Sequence, residues 1–160
     1  MKLVSILAAT LLAGTAPAAT AEPKPALYDY AVDTWRSFTA MVDPGTGLPA
    51  DNIGGDLAPA SRSKYTSPTN IGGYLWSTVV ARDLGIISRR EASGRIDSTL
   101  AVLGRLTRHD KTGMFFNWYN PANGEVLRTW PEDGSPVHPF LSSVDNGWLA
   151  AALMVVRTAE

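Results

Sequence analysis

Cysteine is absent from all 160 residues. Disulfides, thiolate zinc sites and cysteine nucleophiles are thereby excluded, so the fold must hold itself together by burial. Histidine occurs only as His109 and His138, at no metal-ligand spacing. Basic excess is also missing: the net charge is −1 and no Lys/Arg block stands out. Nucleic acid is therefore not an expected partner, nor is a membrane surface held by charge. The chain carries no G-x-S-x-G, H-E-x-x-H, P-loop or dinucleotide fingerprint and no EF-hand ligand array, so no cofactor and no metal site are expected.

Long apolar runs are few. The N-terminal one, LVSILAATLLAG, falls short of the roughly 20 residues that span a bilayer. With Lys2 before it and Ala19-Thr20-Ala21 after it, residues 1–21 read as a signal peptide cut after Ala21. The expected location is secreted or periplasmic, with no membrane contact after cleavage. The remainder, 22–160, is of ordinary size for one domain, and its 45% hydrophobic content suits a packed core.

What is present is helical texture broken by loops. Leu27, Ala31, Trp35, Phe38 and Val42 step at three and four residues, predicting a helix over 26–41. Residues 43–66 show no period and read as a long loop. Ser67-Pro68 opens a second helix with a capping residue and proline at its first position. That helix has two apolar stripes: Ile71, Tyr74, Leu75, Thr78 and Val79, then Trp76, Val80 and Leu84. Two stripes predict packing on both sides. Gly72-Gly73 costs helix propensity and lets another backbone or a ligand approach. Gly85 is a helix-ending glycine, and Ser88-x-x-Glu91 a capping box opening a third helix to about Arg108.

From Asp110 the texture changes. Met114–Tyr119 and Glu125–Trp130 look strand-like around the turn Asn120-Pro121-Ala122-Asn123-Gly124, predicting a short β-hairpin. A last helix is expected from Ser143 to the end. No internal repeat is strict enough to define a repeat architecture.

Two clusters could carry chemistry. Phe116-Asn117-Trp118-Tyr119 combines aromatic faces with an amide, the mixture that a sugar site wants, although such aromatics also pack hairpins onto helices. Asp145 stands three residues from Ser142 and from Trp148, with Asn146 alongside. Spacing alone favours a cap, since an acid in a first turn gains about 0.3–1 kcal/mol from the helix dipole. The same spacing also offers one ligand an acceptor and a stacking plate. Asp51 and Glu132-Asp133 are further loop acids.

Taken in order, TSPTNIGGYLWSTVVARDLGIIS, GMFFNWYNPANGEVL and FLSSVDNGWLAAAL resemble the start of the glucoamylase-like family of bacterial carbohydrate-active domains. That group includes β-1,2-glucan hydrolases and domains of cyclic glucan synthases. The likeness runs over about residues 30–157. It implies a mostly all-α fold, part of an (α/α)6 toroid built of helix pairs, with the pocket at the inner-helix mouths. It further implies a polysaccharide or oligosaccharide partner, a glucan, and carboxylate acid/base glycoside hydrolysis.

Asp145 is then the candidate catalytic acid. Asn117, Trp118, Tyr119, Asn146, Trp148, Asp51 and Asn70 are the candidate substrate contacts. The alternatives are a non-catalytic glycan-binding domain and an inactive fragment. A ring of twelve helices at about 11–12 residues each needs a longer chain, so 22–160 reads as the N-terminal part of such a domain. An open arc is expected to leave Trp148, Leu149, Leu153 and Val156 short of neighbours.

Overall fold

A computed structural model describes residues 25–159, and the signal-peptide reading of 1–21 lies outside them. Four α-helices follow in order: α1 (Pro25–Met41), α2 (Pro68–Asp83), α3 (Arg89–Leu103) and α4 (Ser143–Ala159). A 3-10 turn, Pro59–Ser61, interrupts the first long loop. Among the described residues β-structure is limited to isolated bridges. The predicted hairpin is thus a tight turn closed by single bridges rather than a pair of strands.

Local chemistry accounts for the helix ends. At α2, Ser67 Oγ accepts the Asn70 N–H at 3.3 Å while Asn70 Oδ1 accepts the Ser67 N–H at 3.0 Å. This reciprocal pair satisfies two orphan donors. The far end closes as a Schellman turn: Gly85 at φ 71 donates to Arg82 and Ile86 donates to Ala81, at 2.9 and 2.8 Å. Ile86 then packs against the cluster of Trp35, Tyr74 and Ala81.

Ser88 caps α3 by accepting the Glu91 N–H at 3.1 Å. Glu91 itself turns to Arg95 at 2.9 Å rather than back to Ser88. The third helix stops at Leu103, not near Arg108, because Gly104 weakens it and the next residues enter a turn. Leu106 leaves the helix yet still joins the core.

Helix α2 lies at the centre of the packing. Its buried stripe, Ile71, Tyr74, Leu75, Thr78 and Val79, faces the neighbouring helices as expected. Its second stripe stays open: Trp76, Val80 and Leu84 are 40%, 42% and 47% exposed. α1 flanks this face through Ala31, Thr34 and Phe38 without closing over it, so the expected packing on both sides is only partial there.

α1 packs alongside through Trp35, stacked on Tyr74 at 6.1 Å. α4 runs parallel to α2. Thr69 meets Asp145 at their starts, Gly72 abuts Leu149 midway, and Arg82 Nη1 donates to the Ala159 carbonyl at their ends. A Cβ on Gly72 would stand 3.0 Å from Leu149 Cα and 3.2 Å from the Trp148 carbonyl. The close approach predicted for Gly72 is therefore made by the α4 backbone.

This seam also corrects the expected exposed patch. Leu149 and Val156 are buried in the core, leaving Trp148 exposed, with Val144 and Met154 beyond the seam. Leu153 is half-buried.

The loops contain a repeat that the sequence reading did not identify. At 43–48, 109–114, 120–125 and 130–135 the first residue's N–H donates to the sixth carbonyl, at 2.8–2.9 Å. In each the fifth residue is glycine, at φ 70 to 76, donating back to the first carbonyl. The fourth residue, Thr46, Thr112, Asn123 or Asp133, accepts the sixth N–H through its side chain. DPGTGL, HDKTGM, NPANGE and WPEDGS thus fold alike. Left-handed backbone at the fifth position needs glycine, and the fourth needs a short acceptor. The helix pairs are joined by pinned turns that set side chains at one end of the molecule.

Candidate functional site

α2 and α4 begin side by side, so two positive helix ends and the two long loops leading into them meet there. Asp145, in the first turn of α4, is half-buried at this point. Its N–H donates to Ser142 Oγ at 3.1 Å, the expected cap. The carboxylate does not return to the cap. Oδ1 accepts from Thr69 Oγ1 at 2.8 Å. Oδ2 faces Asn117, whose amide satisfies its neighbours in one orientation: Nδ2 donates to Asp145 at 2.9 Å and Oδ1 accepts from Trp118 Nε1 at 3.2 Å. Carboxylate, amide and indole form one connected line.

Trp118 belongs to an aromatic trio. Its ring lies 5.3 Å from Tyr65 and 5.6 Å from Trp130, and Tyr65 lies 5.3 Å from Trp130, all edge-on. All three rings are half-buried. Asn52 extends the cluster, its Nδ2 bonding Asp51 at 3.1 Å and reaching the Tyr65 hydroxyl at 3.4 Å. Asp51 is thereby linked through Asn52 to the Tyr65 edge of the trio.

The remaining candidates divide. Tyr119 is fully buried and is a strut: its hydroxyl donates to the Thr107 carbonyl at 2.7 Å and accepts the Phe116 N–H at 2.8 Å. Burial pushes its pKa to about 12. Asn146 has its amide committed to backbone, donating to the Phe115 and Ser142 carbonyls and accepting the Phe115 N–H. It clamps the loop carrying Asn117 and Trp118 onto α4. Asn70 Oδ1 is spent on the α2 cap; its neighbour Thr69 is the residue that reaches Asp145.

Trp148 is 55% exposed and lies against α2, not in the trio. Glu132 is exposed beside the turn acid Asp133, whose carboxyl is held below its ordinary value by the Ser135 N–H and hydroxyl. Among the described residues, no group of three His, Asp or Glu residues gathers as for a metal ion.

The sequence reading missed Trp130, and it named the stretches holding Tyr65, Thr69 and Asn52 without singling those residues out as members of this cluster. For Thr69 no local signal exists, because its partner is 76 residues away. Trp130 had one: it opens the fourth copy of the recurrent turn.

Residues 29–160 match the family described as protein of unknown function (DUF3131). The chain belongs to that family. A stretch of 127 residues is 38% identical to the cyclic β-(1,2)-glucan synthase NdvB of Rhizobium meliloti (strain 1021). It covers 78% of this DUF3131 chain and 4% of that much larger protein.

Among solved structures, one described as a putative glucoamylase from Bacteroides fragilis superposes with a TM-score of 0.66 at 22% identity. It covers 89% of this chain and 32% of its own length. An endo-β-1,2-glucanase from Chitinophaga pinensis, solved with sophorotriose and glucose, gives 0.60 at 18% identity, over 81% and 31%. The chain spans about a third of these solved relatives. The shared fold is the glucoamylase-like helix-pair toroid, of which α1–α4 form one arc.

Proposed function

We propose that the mouth formed by α2, α4 and the 115–119 loop binds a glucan, and that Asp145 serves glycoside cleavage there. One observation carries the reading: a carboxylate held by Thr69 and Asn117, joined through Asn117 to a half-exposed aromatic trio. A carboxylate offers about four lone-pair directions, of which two are engaged, leaving two for sugar hydroxyls. Indole and phenol faces meet the CH faces of a pyranose, while Asn52 and Asp51 offer polar rims. The likeness to a glucan synthase segment and to a β-1,2-glucanase fold supports glucan as the sugar class.

Glycoside hydrolysis ordinarily uses two carboxyl groups, about 5–5.5 Å apart in retaining enzymes and about 6.5–9.5 Å in inverting ones. Asp145 supplies one. Asp51 joins the cluster only through Asn52 and Tyr65 and makes no bond to Asp145's partners. That single gathered carboxylate favours a second reading, a glycan-binding arc without its own acid–base pair. Export with cleavage after Ala21 belongs to the same proposal, and the mass of the mature protein tests it.

The deciding experiment uses Asp145→Asn, which keeps the shape and removes the charge. The wild type is expected to bind sophorotriose in calorimetry and to release reducing ends from β-1,2-glucan, and the variant to lose both. Binding without release by the wild type selects the second reading. A variant that binds and cleaves like wild type refutes the role of Asp145.

A further inference from the structure

We infer that the concavity beside Trp148 is a seat for a single neutral sugar ring, next to Asp145. The inference rests on the glucan reading above. The concavity has a volume of about 240 Å3 and lies between α1, α2 and the start of α4. Trp148, Trp76 and Phe38 wall it, Gly73 forms part of its floor, and Thr69 and Ser77 supply hydroxyls. No charged side chain lines it, which suits a neutral ligand. Its size falls below the roughly 300–1,000 Å3 of pockets for larger ligands, so it suits one ring rather than a chain.

Gly73 points the same way. A glycine inside a helix costs about 1 kcal/mol relative to alanine. Gly72 has a reason in the protein, because the α4 backbone occupies the place of its Cβ. Gly73 has none: nothing lies within 4 Å of its Cβ position, and its φ is not left-handed. The space is kept open toward the two indoles, which are 55% and 40% exposed. Paired with aromatic walls, that open floor admits a ring lying flat on the helix.

Thr69 ties the seat to the carboxylate. Its hydroxyl donates its proton to Asp145, so its lone pairs remain to accept from a sugar hydroxyl on the other side. The aromatic trio lies on the Asn117 side of Asp145 and the seat on the Thr69 side. A glucan held by both would pass the carboxylate.

The test is sophorotriose titration of the full chain by calorimetry and by tryptophan fluorescence. Gly73→Leu fills the seat with a good helix former. It is expected to weaken binding about tenfold and to remove the share of the fluorescence change owed to Trp76 and Trp148, with no fall in thermal midpoint. Gly94→Leu, an equally open helical glycine on α3, should bind as wild type. Trp148→Ala, at an exposed position, should weaken binding to a similar degree and covers the case in which Gly73→Leu disturbs the fold. If both variants bind like wild type while Asp145→Asn binds weakly, the seat is refuted and the glucan reading stands. A wild type that binds neither sophorotriose nor β-1,2-glucan overturns both.

Discussion

Two adjacent glycines should respond oppositely to the same substitution. Gly72→Ala places a methyl 3.0 Å from Leu149 Cα, 3.2 Å from the Trp148 carbonyl and 3.3 Å from Ala152 Cβ. Two of those neighbours are backbone and cannot swing aside, so α2 and α4 must part along their parallel seam. Overpacking of this kind costs about 1–3 kcal/mol. The helix propensity gained over glycine returns about 1 kcal/mol, leaving a net loss of about 1 kcal/mol. Gly73→Ala gains the same propensity with nothing to displace, so it stabilises by about 1 kcal/mol. For a domain of this size 1 kcal/mol moves the midpoint by about 2–4 °C. Thermal unfolding followed by circular dichroism should therefore separate the variants by about 4–8 °C, with wild type between them. If Gly72→Ala raised the midpoint as much as Gly73→Ala does, the seam would not pass where the geometry puts it.

Tyr119→Phe removes a buried hydroxyl that bonds Thr107 and Phe116, and should cost about 1–3 kcal/mol in urea unfolding. Since Tyr119 ionises near 12 in the fold and near 10 when unfolded, the unfolded chain loses its proton first. Wild-type stability should therefore fall between about pH 10 and 12, and the variant should lack that share of the decline, about 2–3 kcal/mol; identical pH profiles would refute the burial argument. Asn146→Asp keeps the acceptor for the Phe115 N–H but removes both donors. Hydrogen exchange should show the 115–119 amides opening faster while those of α2 stay protected.

The helix ends were readable because their causes are local. Ser67-Pro68, Ser88 and Gly85 act on groups within a turn of themselves, so spacing alone predicts them. The recurrent turn was equally local, and DPGTGL, HDKTGM, NPANGE and WPEDGS show glycine fifth and a short acceptor fourth. Only those two features are common to all four, so the copies do not stand out as a sequence repeat. The end of α3 was misjudged by five residues because Leu106 continues the apolar rhythm after leaving the helix: burial preserved the pattern that helical geometry had abandoned.

The site was legible in part. The motif quoted around Ser67 contained Thr69, and the one around Phe116 contained Asn117, yet only packing decided which members face Asp145. Tyr119 and Asn146 look like ligand residues in sequence. In the fold one is buried and the other is bonded to backbone, since a polar group taken from water must find partners. Trp76, Val80 and Leu84 read as a second buried stripe, because apolar spacing reports a face without telling what covers it.

Composition and local pattern by themselves determined a cysteine-free, burial-held, mostly helical domain with capped helices and rigid turns. They also placed an acid at the first turn of the last helix. Only tertiary structure decided that this acid is held by Thr69 and Asn117, and that Gly72 serves a seam while the place of a Cβ on Gly73 stays open. The physical reason is range. Caps and turns act within about six residues, where the chain alone sets the geometry. The Thr69–Asp145 bond joins residues 76 apart, and nothing brings them together except the parallel packing of α2 on α4.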